Sequence, residues 1–216
     1  MTTSVRSESN DGLSKQRIEA LSDAIFAFAM TLLVLDIKIP RMAEALITQD
    51  ALARTLLELW PKLISFVMSF VILSLFWIGH HSYSHFLKRV DRWFLWINLL
   101  FLMVVVFVPF STDLLGDYPG QRIAAMIYGG NIIALGLTLY WQWQYATDGH
   151  RLVGSHIEPE LVRRGKKRIL MGIVTIACAM LLELVNPALG LMVYILFPIA
   201  YLLPSQLDRH WTHSHG

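Results

Sequence analysis

Apolar residues fall in six long blocks along this chain, separated by short polar stretches. The first runs from Arg17 to Ile39 and stops at Pro40; the second runs from Pro61 to His85. The third covers Trp93 to Leu115, the fourth Arg122 to Thr147, and the fifth Arg168 to Val185. The sixth extends from Pro187 to Leu203 and meets Pro204. A bilayer crossing takes about 20 apolar residues of helix. The pattern therefore predicts an all-α integral membrane protein with six transmembrane helices. Asn186-Pro187 is a turn signal, so the last two blocks read as a tight helical hairpin. Pro109 inside the third block is tolerable in a membrane helix, as a kink. Residues 1–14 are polar and expected to form a disordered tail. Residues 15–204 form one membrane domain, and 205–216 a histidine-containing C-terminal tail.

Composition strengthens this picture. Of the 216 residues, 55% are hydrophobic and 16% charged, where a soluble domain carries about a quarter charged. The single cysteine, Cys178, lies within an apolar block, which leaves no disulfide framework or zinc-finger spacing. The first block contains Asp23 and Asp36 and has no small-residue cleavage site after it, so it is not read as a cleaved signal peptide.

The charges set an orientation. With both ends inside, the inner segments hold Arg6, Lys15, Arg17, Lys88, Arg89, Arg92, Arg151, Arg163, Arg164, Lys166, Lys167, Arg168 and Arg209. The outer segments hold only Lys38, Arg41, Arg54, Lys62 and Arg122. The bias favours N-in, C-in. Trp60, Trp93 and Trp96 stand at block ends, as interfacial anchors do. The basic loop end at 163–168 is a topology signal beside anionic lipid, with a specific lipid or ligand site as the alternative.

On a helix at 100° per residue, Phe28, Leu32 and Leu35 form one stripe, with Leu21 and Ala24 continuing it and Thr31 on its border. Ser22 and Asp23 point away from it, to either side. An ionisable residue inside a membrane segment is expensive unless paired, so these two predict partners on neighbouring helices.

The same stretch carries a resemblance. Arg17, three intervening residues, Leu21-Ser22-Asp23 and then a small-and-apolar run ending in Leu32-Leu33-Val34-Leu35-Asp36 resemble the endolysosomal potassium channel family, the transmembrane protein 175 family. Two positions depart from the family pattern: Leu21 replaces Phe, and Phe28 stands where Ile or Leu is usual. In the second block, Trp77-Ile78-Gly79-His80-His81 resembles the family's Trp and His, and Asn98 its polar partner in the third. The resemblance implies a homotetramer in a bacterial inner membrane, with potassium ions passing along the fourfold axis between the first helices. It implies Phe28, Leu32 and Leu35 as constriction rings, with Thr31 supplying hydroxyls. Arg17, Ser22, Asp23, Trp77, His80, His81 and Asn98 would form the motif and the inter-helix polar network. No Thr-Val-Gly-Tyr-Gly carbonyl filter is present, so selectivity would rest on side chains and an apolar constriction. Asp36 is either an outer acidic ring that concentrates cations or a helix-end charge in the headgroup region. Glu183 and Asp113 are expected at the outer mouth or in water.

Eight histidines remain to be accounted for: His80, His81, His85, His150, His156, His210, His213 and His215. His81 and His85 have the i, i+4 spacing of metal ligands, and a His-box membrane metalloenzyme is one rival reading. Such enzymes repeat the box at further helix ends, and His150 and His156 are isolated. One histidine of the 80/81 pair, joined to Asp23, would titrate near neutral pH. A secondary transporter is the nearer rival, but no mid-membrane acidic pair is apparent. No cofactor, catalytic residue or nucleic-acid partner is expected.

Overall fold

The structure, a computed structural model, describes residues 9–39, 48–154 and 157–202. His156 and the tail histidines His210, His213 and His215 lie outside the described residues, as does the whole 205–216 segment. The described chain is helical: α1 (Ser9–Leu35), α2 (Gln49–Glu58), α3 (Trp60–Ser84), α4 (Arg92–Asp117), α5 (Arg122–Thr147), α6 (Pro159–Val185) and α7 (Pro187–Leu202). Five of these, α1, α3, α4, α5 and α6, are long and apolar enough to cross a membrane. α7 is apolar but shorter, at 16 residues.

One element differs from expectation. The backbone of α1 is already helical at Ser9, inside the segment expected to be a disordered tail. A helix nucleated by the apolar block propagates at little cost into adjacent residues. The region between the first two apolar blocks also contains a helix, α2. Thr48 caps it by accepting a hydrogen bond from the Ala51 amide at 3.1 Å, and Asp50 lies in its first turn. Its 10 residues are too few to span a bilayer.

Other helix ends follow local rules. Asp91 caps α4 by accepting from the Phe94 amide at 2.8 Å. α6 and α7 both begin at proline, which suits a first helical position. Between them the Asn186 side chain accepts from the Ala188 amide at 2.9 Å, giving the expected tight hairpin. Pro109 sits inside α4 without ending it. A short bridge pairs Leu87 with Val153, and the Lys88 amide donates to the Leu152 carbonyl at 2.8 Å. It ties the α3–α4 and α5–α6 loops together.

α4 and α5 form the centre, with half of each apolar window buried, against 22% for α1 and 17% for α6. Phe101, Val105, Val108, Ile72, Leu73, Tyr128 and Leu135 fill the middle with no appreciable exposure. α1 packs on α3 and α4; α6 packs on α5 and α7.

Buried polar groups stitch this core. The Tyr128 and Ser69 hydroxyls are 3.0 Å apart, and Thr112 donates to Ser69 at 2.8 Å. Asn131 donates to Ser111 at 3.0 Å. Glu183, expected at the outer mouth or in water, is instead buried at 2% exposure, and its Oε2 has no hydrogen-bond partner among the described residues. The hairpin forces this: α7 passes so close at Gly190 that a Cβ there would overlap the Glu183 carboxylate.

Replacing Ser69 with Ala leaves the Tyr128 hydroxyl without this partner in the core. The expected cost is about 1–3 kcal/mol, read as a lower unfolding midpoint in detergent. Adding Tyr128→Phe to Ser69→Ala should recover part of the loss, because both partners are then apolar. Equal midpoints for wild type and Ser69→Ala would show that this contact carries no stability.

Candidate functional site

α1 presents two faces. Ser22, Phe26, Ala29 and Leu33 follow one another at helical spacing and are buried against α3 and α4. On another face Leu21, Phe28 and Leu35 are exposed, Phe28 by 65% and Leu35 by 64%. Thr31 is exposed with them, and its hydroxyl donates to the Phe28 carbonyl at 2.8 Å. Leu32, placed by spacing on the same stripe, is half-buried. Arg17 is exposed one turn before Leu21.

Behind α1, α3 and α4 supply the polar partners that the buried Ser22 and the membrane-depth Asp23 demand. The Trp77 indole donates to Asp23 Oδ1 at 2.8 Å. Asn98 Nδ2 donates to Ser22 Oγ at 3.4 Å, and Ser22 in turn donates to the Ile18 carbonyl at 2.9 Å. His80 Nε2 lies 3.1 Å from Asn98 Oδ1. The chain of contacts therefore runs from α3 through α4 to α1. The hydrogen bond at Asp23 comes from Trp77, not from His80 or His81, because the indole projects from α3 at the level of the carboxylate.

The histidines divide. His80 is buried, with its ring stacked on Phe101 at 5.3 Å and edged by Tyr83 at 5.0 Å. His81 is exposed, stacks on Trp77 at 5.5 Å and has its Nε2 3.2 Å from that of His85. Among the described residues, no group of three or more His, Cys, Asp or Glu converges as a metal site. Phe26 and Phe101, which enclose His80, were not singled out by any motif. Phe26 was reachable from the sequence, since it follows Ser22 by one turn on the buried face.

At the other end of α1, Asp36 is half-buried. Burial and the nearby Asp113 carboxylate hold its carboxyl above the usual range, while Lys38 and Lys62 pull the other way. Lys62 approaches Asp113 at 3.9 Å and pairs closely with Asp117.

The helices that make these contacts, α1, α3 and α4, are also the part matched by a family model. The model of the endosomal/lysosomal potassium channel TMEM175 matches residues 17–109. A potassium channel of Chamaesiphon minutus is 39% identical over 142 residues, or 64% of this chain and 69% of that one. The chain belongs to the TMEM175 family. A second relative, a potassium channel of Streptomyces collinus, is 33% identical over 160 residues, 72% of this chain and 76% of that one. The solved structure of a lysosomal potassium-selective channel TMEM175 homolog from Chamaesiphon minutus superposes with a TM-score of 0.77 at 33% identity. That match covers 88% of this chain and 97% of the other. The family is the one that the Arg17 and Leu21-Ser22-Asp23 signature suggested, and the chain is an integral membrane protein.

Asp23 and Trp77 should behave as one unit. In a double-mutant cycle of Asp23→Ala and Trp77→Phe, followed by thermal unfolding in detergent, the coupling should be about 0.5–3 kcal/mol. Strictly additive losses would remove the contact from the energetics.

Proposed function

We propose that this chain is the subunit of a homotetrameric, potassium-permeable cation channel of the bacterial inner membrane, a channel and not an enzyme. Each subunit would cross six times with both ends inside, α7 making the sixth crossing. The pore would run along the fourfold axis, lined by the first helix of each copy.

The observation that carries this reading is the placement of Phe28, Thr31 and Leu35 on an exposed face of a peripheral helix, in a chain of this family. The centre of the single bundle is filled by Phe101, Val105 and Val108. A water path is therefore more readily built between copies than through one. α1 packs on α3 and α4 by its Ser22–Phe26–Leu33 face and leaves the other free to meet an axis.

In this assembly Phe28, Leu32 and Leu35 would form the constriction. Phe28 and Leu35 already face outward; half-buried Leu32 would need the neighbouring subunit to complete its ring. Thr31 would offer hydroxyl oxygen to the ion beside the narrowest layer. Apolar rings of this kind can gate by dewetting. Arg17, Ser22, Asp23, Trp77, His80, His81 and Asn98 would hold α1 in register. Four Asp36 side chains would form an acidic ring at the outer mouth.

Protein reconstituted in liposomes under a potassium gradient should pass potassium, with a reversal potential that follows the gradient. Asp23→Ala should lose most of this flux. No flux from correctly assembled wild-type protein would sink the channel reading. Phe28→Ala should raise conductance and lower selectivity in bilayer recordings, because four phenylalanines make a narrower neck than four alanines. Unchanged conductance and selectivity would take Phe28 out of the pore.

The Asp36 ring carries a pH dependence. Its carboxyl is held above the usual range, so it is charged above that raised value and neutral below it. As outer pH falls, potassium flux should drop at a higher pH than an ordinary carboxylate would give. Asp113, Asp117, Lys38 and Lys62 act on the same group, so Asp36→Asn is the control. If the variant keeps the wild-type profile, the ring is not the sensor.

A further inference from the structure

The end of α3 carries His80, His81 and His85, and the helix sends them to different places. His80 is buried against Phe101 and meets Asn98. His81 and His85 are both exposed and stand one helical turn apart. α3 ends at Ser84, yet His85 keeps helical dihedrals, φ −58° and ψ −31°. The pair therefore has the i, i+4 geometry in which two imidazoles on one helical face reach a common metal ion.

The side chains have closed on that geometry. Nε2 of His81 lies 3.2 Å from Nε2 of His85. Two zinc–nitrogen bonds of about 2.0–2.1 Å at a tetrahedral angle set their nitrogens about 3.3–3.4 Å apart. The rings need move by only about 0.1–0.2 Å to share an ion. In a neutral imidazole one nitrogen carries the proton and the other a lone pair. With both protons on Nδ1, two Nε2 lone pairs face the same point. A cation between them replaces one hydrogen bond with two coordinate bonds.

The surroundings hold this arrangement in place. The His81 ring stacks on Trp77 at 5.5 Å with 22° between the planes, and Trp77 is itself tied to Asp23. The backbone beneath the pair is pinned as well. Ser84 Oγ donates to the His81 carbonyl at 2.8 Å, and the Leu87 amide donates to the Ser84 carbonyl at 3.1 Å. Leu87 then joins the bridge to Val153. Ligands whose rings and backbone are already positioned lose less freedom on binding. No third His, Cys, Asp or Glu joins them among the described residues, which leaves the remaining coordination positions to water. That is the donor set of an exchangeable site and not of a closed structural zinc.

We propose that His81 and His85 form a binding site for a divalent transition-metal ion of the zinc class at the end of α3. Imidazole nitrogen selects such ions over magnesium and calcium, which take oxygen ligands. The bound ion would staple the last turn of α3 and hold the His81 ring against Trp77. It would thereby bear on the contact that anchors α1.

The test is zinc binding to the untagged, assembled full-length protein in detergent, by isothermal titration calorimetry. The background carries His210→Gln, His213→Gln and His215→Gln, which removes the tail histidines as competing ligands. About one zinc per subunit should bind, and magnesium at the same concentration should not. His81→Gln and His85→Gln should each weaken zinc binding about tenfold or more. His85→Gln decides alone if loss of the Trp77 stack keeps His81→Gln from assembling. Zinc should also raise the unfolding midpoint of the background protein, because an ion that binds the folded state stabilises it. His85→Gln should abolish that rise. Zinc that binds the wild-type protein but not the tail-substituted background overturns the proposal, because the ion then belongs to the tail. Unchanged zinc affinity in His85→Gln overturns it as well, as does equal binding of magnesium.

Discussion

In hydrocarbon a polar side chain must find a partner within the protein, and the arrangement of α1 follows from that constraint. Ser22 and Asp23 cannot face lipid alone. Asn98 of α4 reaches Ser22, and Trp77 of α3 reaches Asp23. His80 completes the chain by meeting Asn98 at 3.1 Å. Measured hydrogen bonds between membrane helices average about 0.6 kcal/mol, so these contacts are weak as a source of stability. Their value is positional. A rotation of α1 would take Ser22 from the Asn98 amide and Asp23 from the Trp77 indole together, and each unsatisfied group in hydrocarbon costs several kcal/mol. The polar contacts thus fix the rotation of α1, and packing of Phe26 and Leu33 sets its depth.

That fixed rotation decides what α1 can offer to its surroundings. With Ser22, Phe26, Ala29 and Leu33 committed to the bundle, Leu21, Phe28, Thr31 and Leu35 have no place in the core. An exposed apolar residue on a membrane helix is ordinary where it meets lipid. The exposed face of α1 is different in carrying Arg17 at one end, Asp36 just beyond the other and a hydroxyl between them.

Much of this was legible in the sequence because hydrophobic blocks and the need to pair charges are local signals. The blocks gave the long helices, the demand for partners predicted polar groups on neighbouring helices, and the family resemblance pointed to Trp77 and Asn98 as those groups. Three features were not legible. α2 is too short and too polar to register as a block, although Thr48 and Asp50 mark its start. The burial of Glu183 depends on how closely α7 passes at Gly190, which a sequence position cannot convey. The two histidines at 80 and 81 are adjacent in sequence, yet α3 turns one into the core against Phe101 and the other outward against Trp77. Their order alone could not assign them, because the direction of the core is set by three helices together.

The Thr31 hydroxyl sharpens what an axial pore would present to an ion. Its proton is directed to the Phe28 carbonyl at 2.8 Å, a common bond for Thr in a helix. The hydroxyl then has only lone pairs to turn away from the helix. In the proposed tetramer, four such oxygens would stand next to the Phe28 ring as acceptors with no competing donors. That arrangement favours a cation over an anion without any formal charge at the constriction, and it places no strong binding site there. A weak ring of oxygen beside an apolar neck lets an ion enter and leave, which conduction requires. Discrimination among cations would then rest on the width of the neck, which the phenyl ring of Phe28 would set.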